Sequence, residues 1–306
     1  MELSFLAYLR GRTRRLPQVS VGIGDDAAVI APSAHPTIAC TDQIIDGVDF
    51  VYSEQNPADI GYKAMAINLS DIAAMGAFAD SALVTLSLPN DDATKVAGDV
   101  YEGILEAAEQ FNVAIAGGDI STYDGPLAIS VTILGHIPTG DPWLRSGAQE
   151  GDVVMASGAF GGSIAGRHLR CTPRLELAAE LRKRVNVHAA IDVSDGLSLD
   201  LDRLCASSGV GVELSMDDIP IHDDAIKLSE SSGRTPLEHA WSDGEDFELL
   251  FTVSPEDAAK LEAAKLGGES LAAPLTAIGK TVGRTGLWKK EGGKYVRLSP
   301  QGYTHE

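Results

Sequence analysis

Acidic residues recur in short segments, most of them beside glycine or at strand ends: Gly22-Ile23-Gly24-Asp25-Asp26, Thr41-Asp42, Asn68-Leu69-Ser70-Asp71, Gly117-Gly118-Asp119 and Asp192-Val193-Ser194-Asp195-Gly196. An Asp on a solvated helix face needs no glycine beside it, whereas one that approaches a metal from a tight turn at a strand end does. The pattern therefore asks for short strands, tight turns and helices, and the 32 glycines agree with a loop-rich α/β chain rather than a helical bundle. Carboxylates crowded together repel bare phosphate. If they serve a polyphosphate, it arrives with divalent ions that reverse the local sign, so the set reads as a Mg²⁺-polyphosphate site.

With 306 residues the chain is long for one core, and two domains are expected. A formal net charge of −20 leaves no basic stripe to displace counterions from nucleic acid; the one basic run, Arg10 to Arg15, reads as a solvated helix end. Cys40, Cys171 and Cys205 form no C-x-x-C pair and no zinc spacing, which points to a reducing compartment. No run of about eighteen apolar residues is present, and the first residues lack a basic start followed by a long apolar stretch. A cytoplasmic enzyme, with no membrane and no nucleic-acid partner, is expected.

Along the chain, Val19 to Val21, Ala27 to Ala31 and Thr37 to Asp42 read as strands. Asn56-Pro57 opens a helix to about Met75 with Ile60, Ala64, Ile67 and Ala74 on its apolar face, and Asn68 and Asp71 share another face. Ser81 to Leu88 is a strand, Asp92 to Phe111 a helix, Val113 to Ala116 a short buried strand and Leu127 to Ile137 a strand. Turn formers concentrate at Pro138 to Pro142, setting a domain boundary between 1–138 and 139–306. Strands near Val153 to Ala156, Ala189 to Val193, Val210 to Leu214, Phe247 to Val253 and Leu275 to Ile278 follow, with helices between them.

Familiar motifs fail on inspection. Gly22-x-Gly24-x-x-Ala27 opens no helix, because Pro32 follows too soon for a dinucleotide turn. Gly279-Lys280-Thr281 has Pro274 where a P-loop needs its leading glycine. The seven histidines are scattered, with no nucleophile in a strained turn beside them. Chemistry run by metals and positioning needs no base, and phosphoryl transfer is such a chemistry.

Taken together, Gly22 to Ala28, Lys63 to Gly76, Gly117-Gly118-Asp119 and Ile191 to Leu197 resemble the thiamine-monophosphate kinases, of the aminoimidazole ribonucleotide synthetase-like superfamily. Arg145-Ser146-Gly147-Ala148, Thr172-Pro173-Arg174, Asp243 to Leu249 and Gly302 to His305 follow the same family in the same order. The resemblance implies a two-domain α/β subunit with mixed sheets. Its N-terminal sheet would form a β-barrel across a homodimer interface, its N-terminal domain would bind ATP and Mg²⁺, and its C-terminal α/β domain would complete the nucleotide and substrate cleft. It implies that Asp26, Thr41, Asp42, Asp71, Asp119, Asp192 and Asp195 hold several Mg²⁺ ions. Gly118, Asp119, Arg145 and Ser194 would contact ATP, and Glu245 would meet the thiamine moiety. Asp42, Asp71, Asp119 and Arg145 would carry catalysis of in-line transfer from ATP to thiamine monophosphate.

Three departures fall at the substrate end. The family segment Gly-Val-His-Phe is here Gly47-Val48-Asp49-Phe50, an aromatic that stacks on thiamine is replaced near Pro300, and Cys40 replaces a Ser before Thr41-Asp42. An anion at Asp49 remains compatible with the cationic thiazolium. The alternatives are another ATP-dependent member acting on a different acceptor, or a silent sensor of ATP or thiamine phosphates.

Overall fold

The computed structural model describes residues 2–14, 16–23 and 27–304, so Asp25, Asp26 and the turn expected of them lie outside the described residues. The chain divides into two compact units. The first runs through Ile72 and continues over Ala77–Gly140 and Leu169–Cys171; the second comprises Ala73–Gly76, Asp141–His168 and the chain from Thr172 onward.

The first unit contains α1 (Glu2–Arg12), β1 (Val19–Val21), β2 (Val29–Ile30), β3 (Thr37–Ile45), α2 (Pro57–Ala74), β4 (Phe78–Pro89), α3 (Ala93–Gln110), β5 (Ala114–Tyr123) and β6 (Ala128–His136). A four-stranded mixed sheet has the order β3-β6-β4-β5, with only β4 and β5 parallel. A parallel pair needs a crossover, and α3 supplies it. Alternation along the strands sends Val84, Leu86, Val131 and Ile133 into the core and leaves Phe78, Leu83 and Thr85 on an open face. The sheet is open in the single chain and forms no closed barrel.

α2 starts as its sequence indicates: the Asn56 Oδ1 accepts from the Ala58 amide at 3.0 Å, with Pro57 at the first helical position. It ends at Gly76, at φ +60°, with the Ala77 amide donating back to the Ile72 carbonyl at 3.0 Å. The single apolar stripe expected of α2 is too narrow, because Lys63, Asn68 and Ser70 are also fully buried. Close approach of α3 explains this. A Cβ on Gly61 would lie 1.9 Å from the Val100 carbonyl oxygen, and one on Gly103 would lie 1.7 Å from that of Ala58. The two glycines let the helix backbones nearly touch.

The second unit contains β7 (Val153–Ser157), α4 (Leu175–Arg184), β8 (Val187–Asp192), α5 (Leu197–Ser208), β9 (Gly211–Leu214), α6 (Asp223–Ser232), α7 (Pro236–Ser242), β10 (Leu249–Val253), α8 (Pro255–Leu266), β11 (Leu275–Val282), β12 (Gly286–Glu291) and β13 (Lys294–Leu298). Its seven-stranded sheet has the order β13-β12-β9-β11-β7-β10-β8, with only β12 and β9 parallel. Helices pack on both faces. Val154, Ile191 and Leu250 meet Leu197, Leu201 and Leu204 of α5, while Met155, Ala190 and Phe251 meet Leu177 and Leu181 of α4 and Leu261 of α8. Every residue of β10 is consequently buried. None of the described helices is long and apolar enough to cross a membrane.

Candidate active site

Within the first unit, Asp42 of β3 and Asp71 of α2 are in side-chain hydrogen-bond contact. Burial pushes the Asp42 carboxyl up, and the hydrogen bond with Asp71 opposes that rise. Two ionised acids in contact repel each other, and a cation bound to both relieves that repulsion. One turn before Asp71, the Asn68 Nδ2 donates to the Ala64 carbonyl at 3.0 Å, while its Oδ1 is buried without a hydrogen-bond partner. The Cys40 thiol, on the same side of β3 as Asp42, donates to the Asn68 carbonyl at 3.4 Å. Among the described residues no three His, Cys, Asp or Glu side chains form a ready-made cation cage. Mg²⁺ does not need one: it commonly takes one or two carboxylates and completes its shell with water and substrate phosphates. The hard oxygens of Asp42, Asp71 and Asn68 fit such an ion.

Thr41 and Asp119 belong to the other side of the sheet. The Thr41 hydroxyl donates to the Val131 carbonyl at 3.1 Å and accepts from Thr132 at 2.9 Å, so it is not brought to the Asp42–Asp71 pair. Asp119 is in register with exposed Thr85 and therefore points from the open face. β5 runs straight through Gly117-Gly118-Asp119 instead of ending before it. Gly118 has a structural reason of its own, because a Cβ there would meet the Val84 carbonyl oxygen at 1.8 Å. Beside these residues lies a groove of about 860 Å³, lined by Phe5, Leu9, Ile23, Tyr101, Gly118 and Asp119 among others. Leu83, Thr85 and Thr132 of the open sheet face also line it.

Asp49 is turned inward: its Oδ2 accepts from the Ile45 amide at 2.8 Å, and its carbonyl accepts from the buried Lys63 Nζ at 2.8 Å. The carboxylate thus organises its own turn.

In the second unit, Asp192 ends β8 and is buried, and the loop after it carries Ser194 and Asp195. Two residues missed in the sequence hold this loop. The Asp200 Oδ2 accepts from the amides of Ser194 at 3.1 Å and Asp195 at 2.9 Å, and Arg203 bridges Asp200, at 2.7 Å, and Asp195. Burial pushes the Asp200 carboxyl up, opposed by the Asp195 amide and Arg203. The i,i+3 spacing of Asp200 and Arg203 at the start of a helix was the available signal. The Glu245 amide donates to the Ser194 carbonyl at 2.7 Å and the Tyr303 amide to the Asp195 carbonyl at 2.9 Å, so Glu245 and Tyr303 flank the same loop. Pro300 is exposed, and Trp241, whose Nε1 donates to the Ser299 carbonyl at 3.3 Å, is buried. Tyr303 is 52% exposed. Arg145 is exposed, its carbonyl accepting from the Ser208 hydroxyl at 3.1 Å.

Glu245 and Phe247 adopt φ of +62° and +52°, a conformation that costs a non-glycine residue about 1–3 kcal/mol. Between them Asp246 is buried; burial lifts its carboxyl to about 7, against the pull of Arg167 and of the Gly161 amide. Asp243 is occupied by Arg234 at 2.8 Å and His239 at 2.8 Å. Glu248, also buried, pairs with Arg174 and accepts from the Ser157 hydroxyl at 2.5 Å.

The class is AIR synthase-related: residues 24–137 match the model of its N-terminal domain and residues 149–287 that of its C-terminal domain, over the two α/β units just described. A thiamine-monophosphate kinase of Rhodopirellula baltica is 63% identical over 314 aligned residues, covering 100% of this chain and 97% of that protein. The crystal structure of thiamine-monophosphate kinase from Stenotrophomonas maltophilia aligns with a TM-score of 0.79 and 32% identity over 95% of this chain and 96% of that one. The structure of AaThiL complexed with AMPPCP and TMP aligns with a TM-score of 0.77 and 30% identity over 93% of this chain and 92% of that one. The chain belongs to the thiamine-monophosphate kinase family.

Proposed function

We propose that the protein transfers the γ-phosphoryl group of ATP to thiamine monophosphate, giving thiamine diphosphate and ADP. Full-length similarity to thiamine-monophosphate kinases carries this reading. An oxygen of the acceptor phosphate forms the new bond to the γ-phosphorus, the bond to the β,γ-bridging oxygen breaks, and its electron pair leaves with ADP. A phosphate monoester has its second pKa near ~6, so the acceptor is a dianion at neutral pH and no general base is required.

Asp26, Thr41, Asp42, Asp71, Asp119, Asp192 and Asp195 would hold Mg²⁺, with the Asp42–Asp71 pair as the best-formed part of that set. Bound Mg²⁺ supplies the positive charge that lets two anions approach. Residues 1–138 would serve ATP, Mg²⁺ and dimerisation. Residues 139–306 would add Arg145 and Ser194 toward the phosphates and Glu245 toward thiamine. Arg145 offers a fork of donors for the transferring group. Tyr303, exposed beside Asp195, would supply the aromatic surface that Pro300 does not. Asp49 would shape the acceptor turn through the Ile45 amide. The open face of the four-stranded sheet, with Phe78 and Leu83 exposed, would be covered by a second copy to complete a barrel.

Product analysis with ATP, Mg²⁺ and thiamine monophosphate, with thiamine and other phosphate monoesters in parallel, tests the reading. Thiamine diphosphate and ADP are expected in equal amounts. Tight Mg²⁺-ATP binding without thiamine diphosphate would overturn it.

A further inference from the structure

Three loops of the second unit meet around one buried carboxylate. The Asp246 side chain has no exposed surface; both of its oxygens lie 3.0 Å from the Gly161 amide, and Oδ1 accepts from Arg167 Nη2 at 2.9 Å. The receiving turn is built for this contact, since Gly161 has φ +92° and a Cβ there would come within 2.6 Å of the Ala240 nitrogen. Ser163 donates to the Gly244 carbonyl at 2.5 Å, and the Gly162 amide to Asp243 at 3.1 Å. On the other side, the Glu245 and Phe247 amides donate to the carbonyls of Ser194 at 2.7 Å and Val193 at 2.8 Å.

We propose that Arg167 and Asp246 form a positioning pair for the phosphoryl acceptor, holding Glu245 in its left-handed backbone conformation against Ser194 so that its side chain meets thiamine monophosphate. The proposal rests on the kinase reading above. A buried ion pair is a weak source of stability, and apolar residues of similar volume often serve as well. Its placement between two residues at positive φ, one of them Glu245, gives it a different use: it fixes a backbone that Glu and Phe would otherwise leave.

Arg167→Met, Asp246→Asn, the double variant and Arg167→Lys are assayed at about pH 8, where Asp246 is charged, with KM for each substrate, kcat and thermal melting measured together. Each of the first two is expected to raise KM for thiamine monophosphate roughly tenfold while KM for ATP stays within about twofold, the effect of a misplaced contact remote from the nucleotide. The double variant should be no worse than the worse single, and Arg167→Lys should restore part of the acceptor KM. If the KM values for both substrates are unchanged, or if kcat alone falls in step with the folded fraction, the pair is merely structural and the proposal fails. Should Asp246→Asn not fold, Arg167→Lys and Arg167→Met decide by the same comparison of the two KM values. Wild-type protein that makes no thiamine diphosphate would overturn the kinase reading instead, which separates the two failures.

Discussion

Asp42 and Asp71 meet although they are 29 positions apart in the chain, and their hydrogen bond gives the residue scale its sharpest test. Asp42→Asn and Asp71→Asn should each lower turnover by about two orders of magnitude or more. Neither should melt earlier than wild type in Mg²⁺-free buffer, because removing one of two facing acids relieves their repulsion. The rise in melting temperature that Mg²⁺ gives wild type should shrink in both; an undiminished rise would take these residues out of the cation site. Asp246 makes a second prediction. Its carboxyl moves from an ordinary 3.8 to about 7 on folding, so the folded chain keeps a proton that the unfolded chain has released between those values. That contribution to stability is whole below the unfolded value and is lost as pH rises through the folded one. Denaturant unfolding at about pH 5 and about pH 8 should therefore show a larger loss for wild type than for Asp246→Asn. Asp42 and Asp71 were singled out in the sequence by the motifs Thr41-Asp42 and Asn68-Leu69-Ser70-Asp71, while their contact with each other was not foreseen. Asp200, Arg203 and Arg167 were not singled out, since their roles come from amides and carboxylates that only the fold brings near.

At the scale of elements, the contact of α2 with α3 yields a prediction opposite to helix propensity. Ala in place of Gly61 should favour the helix by about 1 kcal/mol. The added Cβ would instead fall 1.9 Å from the Val100 carbonyl oxygen, so Gly61→Ala should lose stability by several kcal/mol or fail to fold, as read by denaturant unfolding. Most helices and strands were legible, because proline and cap mark the start of α2 and the apolar period is clear along α3. The hairpin of β12 and β13 was missed, although Gly292-Gly293, at φ +56° and +79°, between Trp288 and Tyr295 carries the mark of a tight turn. The alternation there is weak because β13 is exposed almost throughout. β5 was cut short for a related reason: two glycines read as a turn, yet Gly118 is the residue that lets β5 lie against the Val84 carbonyl.

For the whole molecule, the proposed barrel predicts a particle of twice the 32.1 kDa chain mass by light scattering. Phe78, 40% exposed on the open sheet face, is the place to perturb it, and Phe78→Glu should shift the protein toward the single-chain mass. A wild-type protein that stays at the single-chain mass would remove the second copy from the reading. Both compact units are assembled from separated stretches of sequence. Arg170, in the short 169–171 stretch, pairs with Asp59 at 2.5 Å and Glu106 at 2.7 Å. Arg182 and the Trp143 amide take the carbonyls of Gly76 at 2.8 Å and Met75 at 3.0 Å. During synthesis, therefore, the first unit waits for its last piece until residues 169–171 have left the ribosome, and the second incorporates a piece made long before it. Two genes split at the apparent boundary would leave Arg170 and Arg182 on one fragment and their anchors, Asp59, Glu106 and Gly76, on the other.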